Sequence, residues 1–155
     1  MLQVKEYFSL EQKEFWLEQI KKSDWGAGQF LYELLRDNKL KEMCGERTIV
    51  LLLIEDDKLI AFCTLAEKDD IQPTDLTPWV GFVYTFPEYR GHRYAGQLLK
   101  SAEEIAAKEG VQCVYISTSH TGLYEKYGYH FVELLKDVGG EVSRVYKKNL
   151  SSGDC

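Results

Sequence analysis

The run Thr48-Ile-Val-Leu-Leu-Leu-Ile54 constrains this chain more than any other segment. It is apolar, β-branched at several positions, and shows no alternation of polar and apolar residues. A strand of that kind is buried on both faces, so its sheet needs cover on both sides. The segments around it supply strands and cover. Leu2 to Phe8 reads as a first strand. Ser9, with Gln12 three residues on, has the form of a capping box opening a helix that runs through Lys21. The stretch Asp24-Trp25-Gly26-Ala27-Gly28 breaks that helix. A second helix is expected from about Gln29 to Met43, with Leu31, Leu34, Leu35 and Leu40 at helical spacing and Gly45 closing it.

After the central run, Asp56-Asp57 forms a hairpin turn and Leu59 to Ala66 returns as a strand. Lys68 to Pro78 is a polar loop, and Trp79 to Phe86 is the next strand. Gln97 to Lys108 is the clearest helix: Leu98, Leu99, Ala102, Ile105 and Ala106 share a face, and Gly110 ends it. Val111 to Ser117 is a strand, and Thr121 to Tyr127 a short helix ended by Gly128. Tyr129 to Leu135 and Val142 to Lys148 close the chain as an antiparallel pair around Gly139-Gly140. The order β-α-α-β-β-β-α-β-α-β-β suits an α/β (α+β) mixed sheet with helices on both faces. With no repeat or linker, residues 1–150 are expected to form a single domain. The small, polar segment 151–155 is expected to be a disordered tail.

Charge and cysteine usage narrow the function classes. The chain has 25 acidic and 19 basic side chains, a net charge of -6, which opposes a nucleic-acid partner but leaves room for a small anion at a local basic patch. Cys44, Cys63, Cys113 and Cys155 make no CxxC pair, and His92, His120 and His130 are not spaced as zinc ligands, so no metal is expected. The first three cysteines lie in or beside apolar stretches, which reads as buried free thiols in a reducing compartment. The N-terminus lacks a signal pattern, and the run Ile49 to Ile54 is far too short to span a bilayer. The expectation is a soluble cytoplasmic protein without a membrane partner.

One local basic patch exists. Between the strand starting at Trp79 and the helix ending at Lys108 lies Arg90-Gly91-His92-Arg93-Tyr94-Ala95-Gly96. First-turn amides of a helix have no internal partners, and the helix dipole points its positive end outward there. A glycine-bearing turn lets a phosphate approach those amides, and the basic side chains add charge. The segment reads as a phosphate or pyrophosphate site; an ordinary strand-to-helix turn with solvated arginines is the alternative. It matches neither the P-loop nor the dinucleotide fingerprint. A second constellation, Ser117 to Tyr129, follows a strand and carries Tyr124, which taken alone reads as a core or rim aromatic.

Together, Pro87 to Gly96 and Gly122 to Tyr129 resemble the two signatures of the GNAT superfamily of acyl-CoA N-acyltransferases. The family's cofactor motif is Arg/Gln-x-x-Gly-x-Gly/Ala. Here Arg90 and Ala95 match its ends, and Arg93 stands where the family has its central glycine. The resemblance implies a mixed, mostly antiparallel sheet of about six to seven strands, splayed where acetyl-CoA binds, with helices on both faces. It implies that the pantetheine arm pairs with backbone groups of Val83, Tyr84 and Thr85. The pyrophosphate would then rest on Arg90, Gly91, His92, Arg93, Tyr94, Ala95 and Gly96. If Arg93 has an ordinary helical φ, the amide cradle survives, with the side chain turned away from the pyrophosphate or joining it from the side.

The resemblance further implies direct attack of an amine on the thioester, a strand N–H polarising the carbonyl, and Tyr124 assisting the departing sulfur. A tyrosine pKa near ~10 against ~8.5 for a thiol makes full proton transfer uphill by about 2 kcal/mol, so hydrogen bonding is the safer role. A base is needed because an alkyl amine is protonated at neutral pH. Glu67, Asp70 and Asp75 are candidates, each also readable as a solvated loop acid. His120 is either a relay or substrate contact, or a cap of the short helix. The acceptor pocket is expected among the first two helices, the Lys68–Pro78 loop and the region after Tyr129. Trp25, Trp79 and Tyr129 are candidate linings, Trp79 being the one that most reads as core. The acidic charge favours a cationic acceptor. The leading expectation is an N-acetyltransferase acting on a small molecule or peptide, as a monomer or homodimer. A non-catalytic acyl-CoA sensor and a ligand-free interaction domain are the alternatives.

Overall fold

The computed structural model describes residues 1–150; the tail expected at 151–155 lies outside the described residues. Seven strands form one sheet: β1 (Leu2–Glu6), β2 (Ile49–Glu55), β3 (Lys58–Ala66), β4 (Trp79–Thr85), β5 (Cys113–Thr118), β6 (His130–Lys136) and β7 (Val142–Asn149), in the order β1-β2-β3-β4-β5-β7-β6. All neighbours are antiparallel except β4 and β5. Among the described residues four α-helices accompany the sheet: α1 (Lys13–Lys21), α2 (Gly26–Arg36), α3 (Leu40–Cys44) and α4 (Tyr94–Lys108).

The central run does what its composition demands. Val50, Leu52 and Ile54 of β2 pack with Trp16 and Ile20 of α1 and Leu31 and Leu34 of α2. Leu51 and Leu53 point the other way, into a core with Leu98, Leu99, Ala102 and Ala106 of α4. Side chains of a strand alternate between faces, so five consecutive apolar residues feed two cores at once. A third, smaller cluster joins Ile71, Trp79, Cys113, Tyr115 and Val145.

Several boundaries differ from the sequence expectations, each for a local reason. The single helix expected from Gln29 to Met43 is two, because Asn38 takes a left-handed conformation (φ 58). The Asn38 and Lys39 amides then donate to the Leu35 and Leu34 carbonyls, 3.2 and 2.8 Å, a C-terminal cap that asparagine accommodates. Ser9 does not cap α1: its hydroxyl donates to the Glu6 carbonyl (2.8 Å), and the residue before α1 is Gln12, without a side-chain cap. α4 begins at Tyr94, a turn earlier than its apolar pattern. The short helix expected over Thr121–Tyr127 is only a 3-10 turn at Glu125–Tyr127. Cys44 and Cys63 are buried free thiols as expected. Cys113 is buried but disulfide-bonded; its apolar neighbours foretold burial and could not foretell its redox state.

Candidate active site

The site begins with a bulge. Gly81 pairs with Thr64 and Tyr84 with Phe62, so two residues of β4, Phe82 and Val83, face one of β3, Cys63. Phe82 has φ 50, rare for a bulky side chain. A bulge bends its strand and increases the twist. β4 accordingly pairs with β5 at one position, Trp79 with Tyr115, where the Tyr115 amide donates to the Pro78 carbonyl (3.0 Å). Beyond it the strands part.

Which backbone groups face that gap follows from the ladder. The Phe86 amide donates to the Ile60 carbonyl of β3 (3.0 Å). Antiparallel pairing alternates with period two, so Tyr84 also turns its backbone toward β3 while Val83 and Thr85 turn theirs toward the gap. Of the three residues expected to meet a pantetheine arm, two therefore turn their backbone to the gap, Thr85 with its carbonyl already engaged. The Thr85 carbonyl accepts a bond from Arg90 Nε (2.9 Å), and the Arg90 guanidinium also covers the Tyr84 ring at 5.4 Å.

The gap opens onto the start of α4. After a 3-10 turn at Pro87–Tyr89, Arg90 is extended, Gly91 has φ 90, and Arg93 has φ 59 and ψ 29. Arg93 thus does not meet the condition of an ordinary helical φ; it holds the left-handed geometry that suits the family motif's glycine. Such a conformation costs a non-glycine residue roughly 1–2 kcal/mol. The amides of Gly91 through Ala95 donate to no group among the described residues, and the Gly96 amide turns back to the Arg93 carbonyl (3.0 Å). Gly96 also permits a close approach: a Cβ there would lie 2.7 Å from Tyr127 Cε1. The two sequence constellations meet at that contact.

Tyr124 precedes the 3-10 turn after β5. Its carbonyl accepts the Tyr127 and Tyr129 amides (3.0 and 3.2 Å), which ties the turn together. Its ring is buried among the residues of the α4-side core, edge-on to Tyr129 at 6.2 Å. Its hydroxyl has no bonding partner among the described residues. Burial pushes the phenol above the ordinary tyrosine range, and negative charge at Cys63, Tyr127 and Asp69 would push it further. The group is therefore a neutral donor near neutral pH. Tyr129 belongs to the core, its hydroxyl donating to Glu103 Oε2 (2.9 Å), which Lys148 neutralises from 2.8 Å. Trp79 is wholly buried. Trp25 instead stacks on Tyr84 (5.6 Å between centroids, 7° between planes), and the Tyr84 hydroxyl donates to Asp24.

The acids separate by environment. Glu67 is exposed; its carboxylate accepts the Arg47 amide (2.9 Å) and lies against Gly45, where a Cβ would sit 2.7 Å from Glu67 Cδ. His120 is exposed, its amide donating to Thr118 Oγ1 (3.1 Å). Asp75 is exposed, and Asp70 is half-buried with its carbonyl accepting the Val138 amide (2.8 Å). Asp69 was not singled out by the sequence reading. Its carboxylate abuts β4 at Gly81, where a Cβ would lie 2.2 Å from Asp69 Oδ1 and 3.3 Å from Thr64 Oγ1. Burial, and then the charge of Asp70, raise the Asp69 pKa to about 7. The available sequence signal was Gly81 itself, since a glycine inside a strand marks a close approach.

Among the described residues no group of His, Cys, Asp and Glu is placed to hold a metal ion. No helix is long and apolar enough to cross a membrane.

Comparison with known proteins gives three findings. Residues 8–129 match the family model described as the acetyltransferase (GNAT) family. No curated protein matches the sequence significantly. Solved structures share the fold at low identity. An aminoglycoside 6'-N-acetyltransferase from Enterococcus faecium superposes with a TM-score of 0.69 at 14% identity, over 99% of each chain. An aminoglycoside 6'-N-acetyltransferase complexed with coenzyme A gives 0.67, 14% and the same coverage. A GNAT-family protein from Desulfovibrio desulfuricans gives 0.71 at 13%, over 97% of this chain and 100% of the other.

Proposed function

The chain belongs to the GNAT family of acetyltransferases, which use acyl-CoA, and from that premise we propose that it moves an acetyl group from acetyl-CoA to a primary amine of a small molecule or peptide. One observation carries the reading: the unpaired edge of β4 and the unbonded amides leading into α4 lie along a single track. The Val83 and Thr85 backbone groups suit an extended pantetheine arm bearing amides. The amides from Gly91 to Ala95, with the Arg90, His92 and Arg93 side chains, suit a pyrophosphate in a molecule that otherwise carries net negative charge. In this reading the track ends at the parting of the strands, and Tyr124 serves the thioester there.

Transfer is then direct. The amine and the thioester meet in the gap between β4 and β5, and an unpaired β4 amide polarises the thioester carbonyl. Tyr124, held neutral by burial, hydrogen-bonds the sulfur as charge develops on it. No covalent enzyme intermediate is required, because no nucleophilic side chain is placed in this scheme.

The test is incubation with acetyl-CoA and a panel of primary amines: a diamine, a polyamine, an aminoglycoside and a lysine-bearing peptide. The expected result is release of CoA thiol with a gain of one acetyl group in one of the amines. The aminoglycoside belongs in the panel because two structures of the same fold bear that name. Binding of acetyl-CoA, seen as a raised melting temperature, with no turnover of any amine would favour a non-catalytic acyl-CoA sensor instead.

A further inference from the structure

We propose that Asp69 takes the proton from the incoming ammonium group, with the Thr64 hydroxyl and Asp70 carboxylate beside it as acceptors that hold that group. The proposal rests on the acetyltransferase reading and adds the residue that makes its amine nucleophilic.

Placement is the first argument. Gly81, against which the Asp69 carboxylate lies, is the last residue of β4 in register with β3 before the bulge. It marks where β4 turns away from β5. Ala61, Cys63 and Leu65 of β3 and Val80 of β4 enter the core on the α4 side. By alternation Thr64 and Gly81 face the other side, toward α1 and α2, and Asp69 sits there with them. Tyr124 belongs to the α4 side. The gap therefore has a phenol on one face and a carboxylate on the other, near enough for the charge of Asp69 to act on Tyr124. An amine approaching from the α1/α2 face meets Asp69, and the sulfur leaves toward Tyr124.

Unused bonding capacity is the second. Thr64 Oγ1 is buried with no hydrogen-bond partner, and the buried Asp70 Oδ1 has no partner apart from the neighbouring Asp69 carboxyl. Buried polar atoms are nearly always paired, and such exceptions call for a reason. A primary ammonium has three N–H donors and accounts for both atoms together with Asp69. The other acids nearby are engaged or solvated: Glu67 holds the Arg47 amide, Asp24 the Tyr84 hydroxyl, and Asp75 is exposed.

The titration behaviour agrees. The groups that act on or respond to Asp69 are Asp70 on the same loop, Tyr124 across the gap, and Cys44 at the end of α3 with Lys68 beside it. With its pKa near 7, Asp69 is about a thousandfold better as a proton acceptor than a carboxylate at its ordinary value. It is half-buried as a residue, so the proton can leave to solvent. In the step proposed, an ammonium N–H bond breaks and Asp69 gains the proton. The freed lone pair forms the C–N bond, and the C–S bond breaks. The second N–H proton reaches the thiolate sulfur through the Tyr124 hydroxyl, and Asp69 returns its proton to water.

The test compares two acceptors, 1,5-diaminopentane, which is protonated at pH 7, and 2,2,2-trifluoroethylamine, whose fluorines leave it neutral there. With acetyl-CoA as donor, Asp69→Asn should lower kcat for the diamine by roughly 10²–10⁴-fold and for the fluorinated amine by less than about tenfold. The acetyl-CoA KM should stay within about twofold, and the rise of wild-type kcat/KM through pH 7 should disappear. If Asp69→Asn does not fold, Asp69→Glu, which shifts the carboxylate, should show the same inequality between the amines. Equal losses for both amines, or no loss, overturn the assignment. A wild-type protein that acetylates neither these nor any panel amine overturns the acetyltransferase reading itself.

Discussion

At the scale of single residues, Tyr124 and Arg93 carry opposite lessons about what a side chain contributes. Tyr124 is a buried residue whose hydroxyl has no bonding partner among the described residues and is held neutral, so its removal deletes a donor without disturbing a hydrogen-bond network. Tyr124→Phe is expected to reduce kcat by roughly 10- to 1,000-fold while acetyl-CoA raises the melting temperature as it does for the wild type. Turnover equal to wild type would remove the tyrosine from the reaction. Arg93 contributes its amide at the cost of its backbone: φ 59 is a glycine conformation imposed on an arginine. Arg93→Gly should therefore stabilise the free protein by up to about 1 kcal/mol, the left-handed penalty less the extra entropy of glycine, or roughly 2–4 °C in melting temperature. A lower melting temperature would mean that the arginine side chain contributes more than its backbone costs. The motif showed in sequence that Arg93 departs from the family pattern. It could not show the sign of φ, which tertiary contacts decide. Asp69 was missed for a related reason: three acids crowd Glu67-Lys68-Asp69-Asp70, and only the fold determines which one meets Gly81.

Elements explain why some of this was legible and some was not. β2 was readable because burial on both faces writes itself into five consecutive apolar residues, and Leu52 at 0% exposure sits at the middle of one core. Leu52→Ala should cost about 2–5 kcal/mol in a denaturant melt. Leu134→Ala on β6, whose side chain is 54% exposed, should fall within about 0.5 kcal/mol of wild type. Similar costs at the two positions would contradict the two-core arrangement. α4 was readable by the same logic of one apolar face. The bulge in β4 was not, because Phe82 is an ordinary strand residue by type and its positive φ arises from mismatched registers on β3. Yet the bulge parts β4 from β5 and so creates the gap. The sequence thus revealed the elements that bury surface and concealed the irregularity that opens the site.

On the scale of the whole molecule, the buried carboxyl makes a claim about folding as well as chemistry. Asp69 titrates near 7 in the native state against 3.8 for the unperturbed group. Between those values the native state holds a proton that the unfolded chain has released. Stability must then fall as pH rises through that window, by at most about 1.4 kcal/mol per pH unit from this group. The net charge of -6 acts in the same direction, since self-repulsion grows as other carboxylates ionise. The two are separable, because Asp69→Asn removes the first and barely changes the second. Free wild-type protein should lose melting temperature from pH 4.5 to pH 7.5 more steeply than Asp69→Asn does. The variant should be the more stable of the two at pH 7.5. Parallel curves would mean that Asp69 ionises as an ordinary surface carboxylate, and its position against Gly81 would then have no energetic consequence. Diverging curves would mean that this fold keeps, at the parting of β4 and β5, a carboxylate that costs stability when charged.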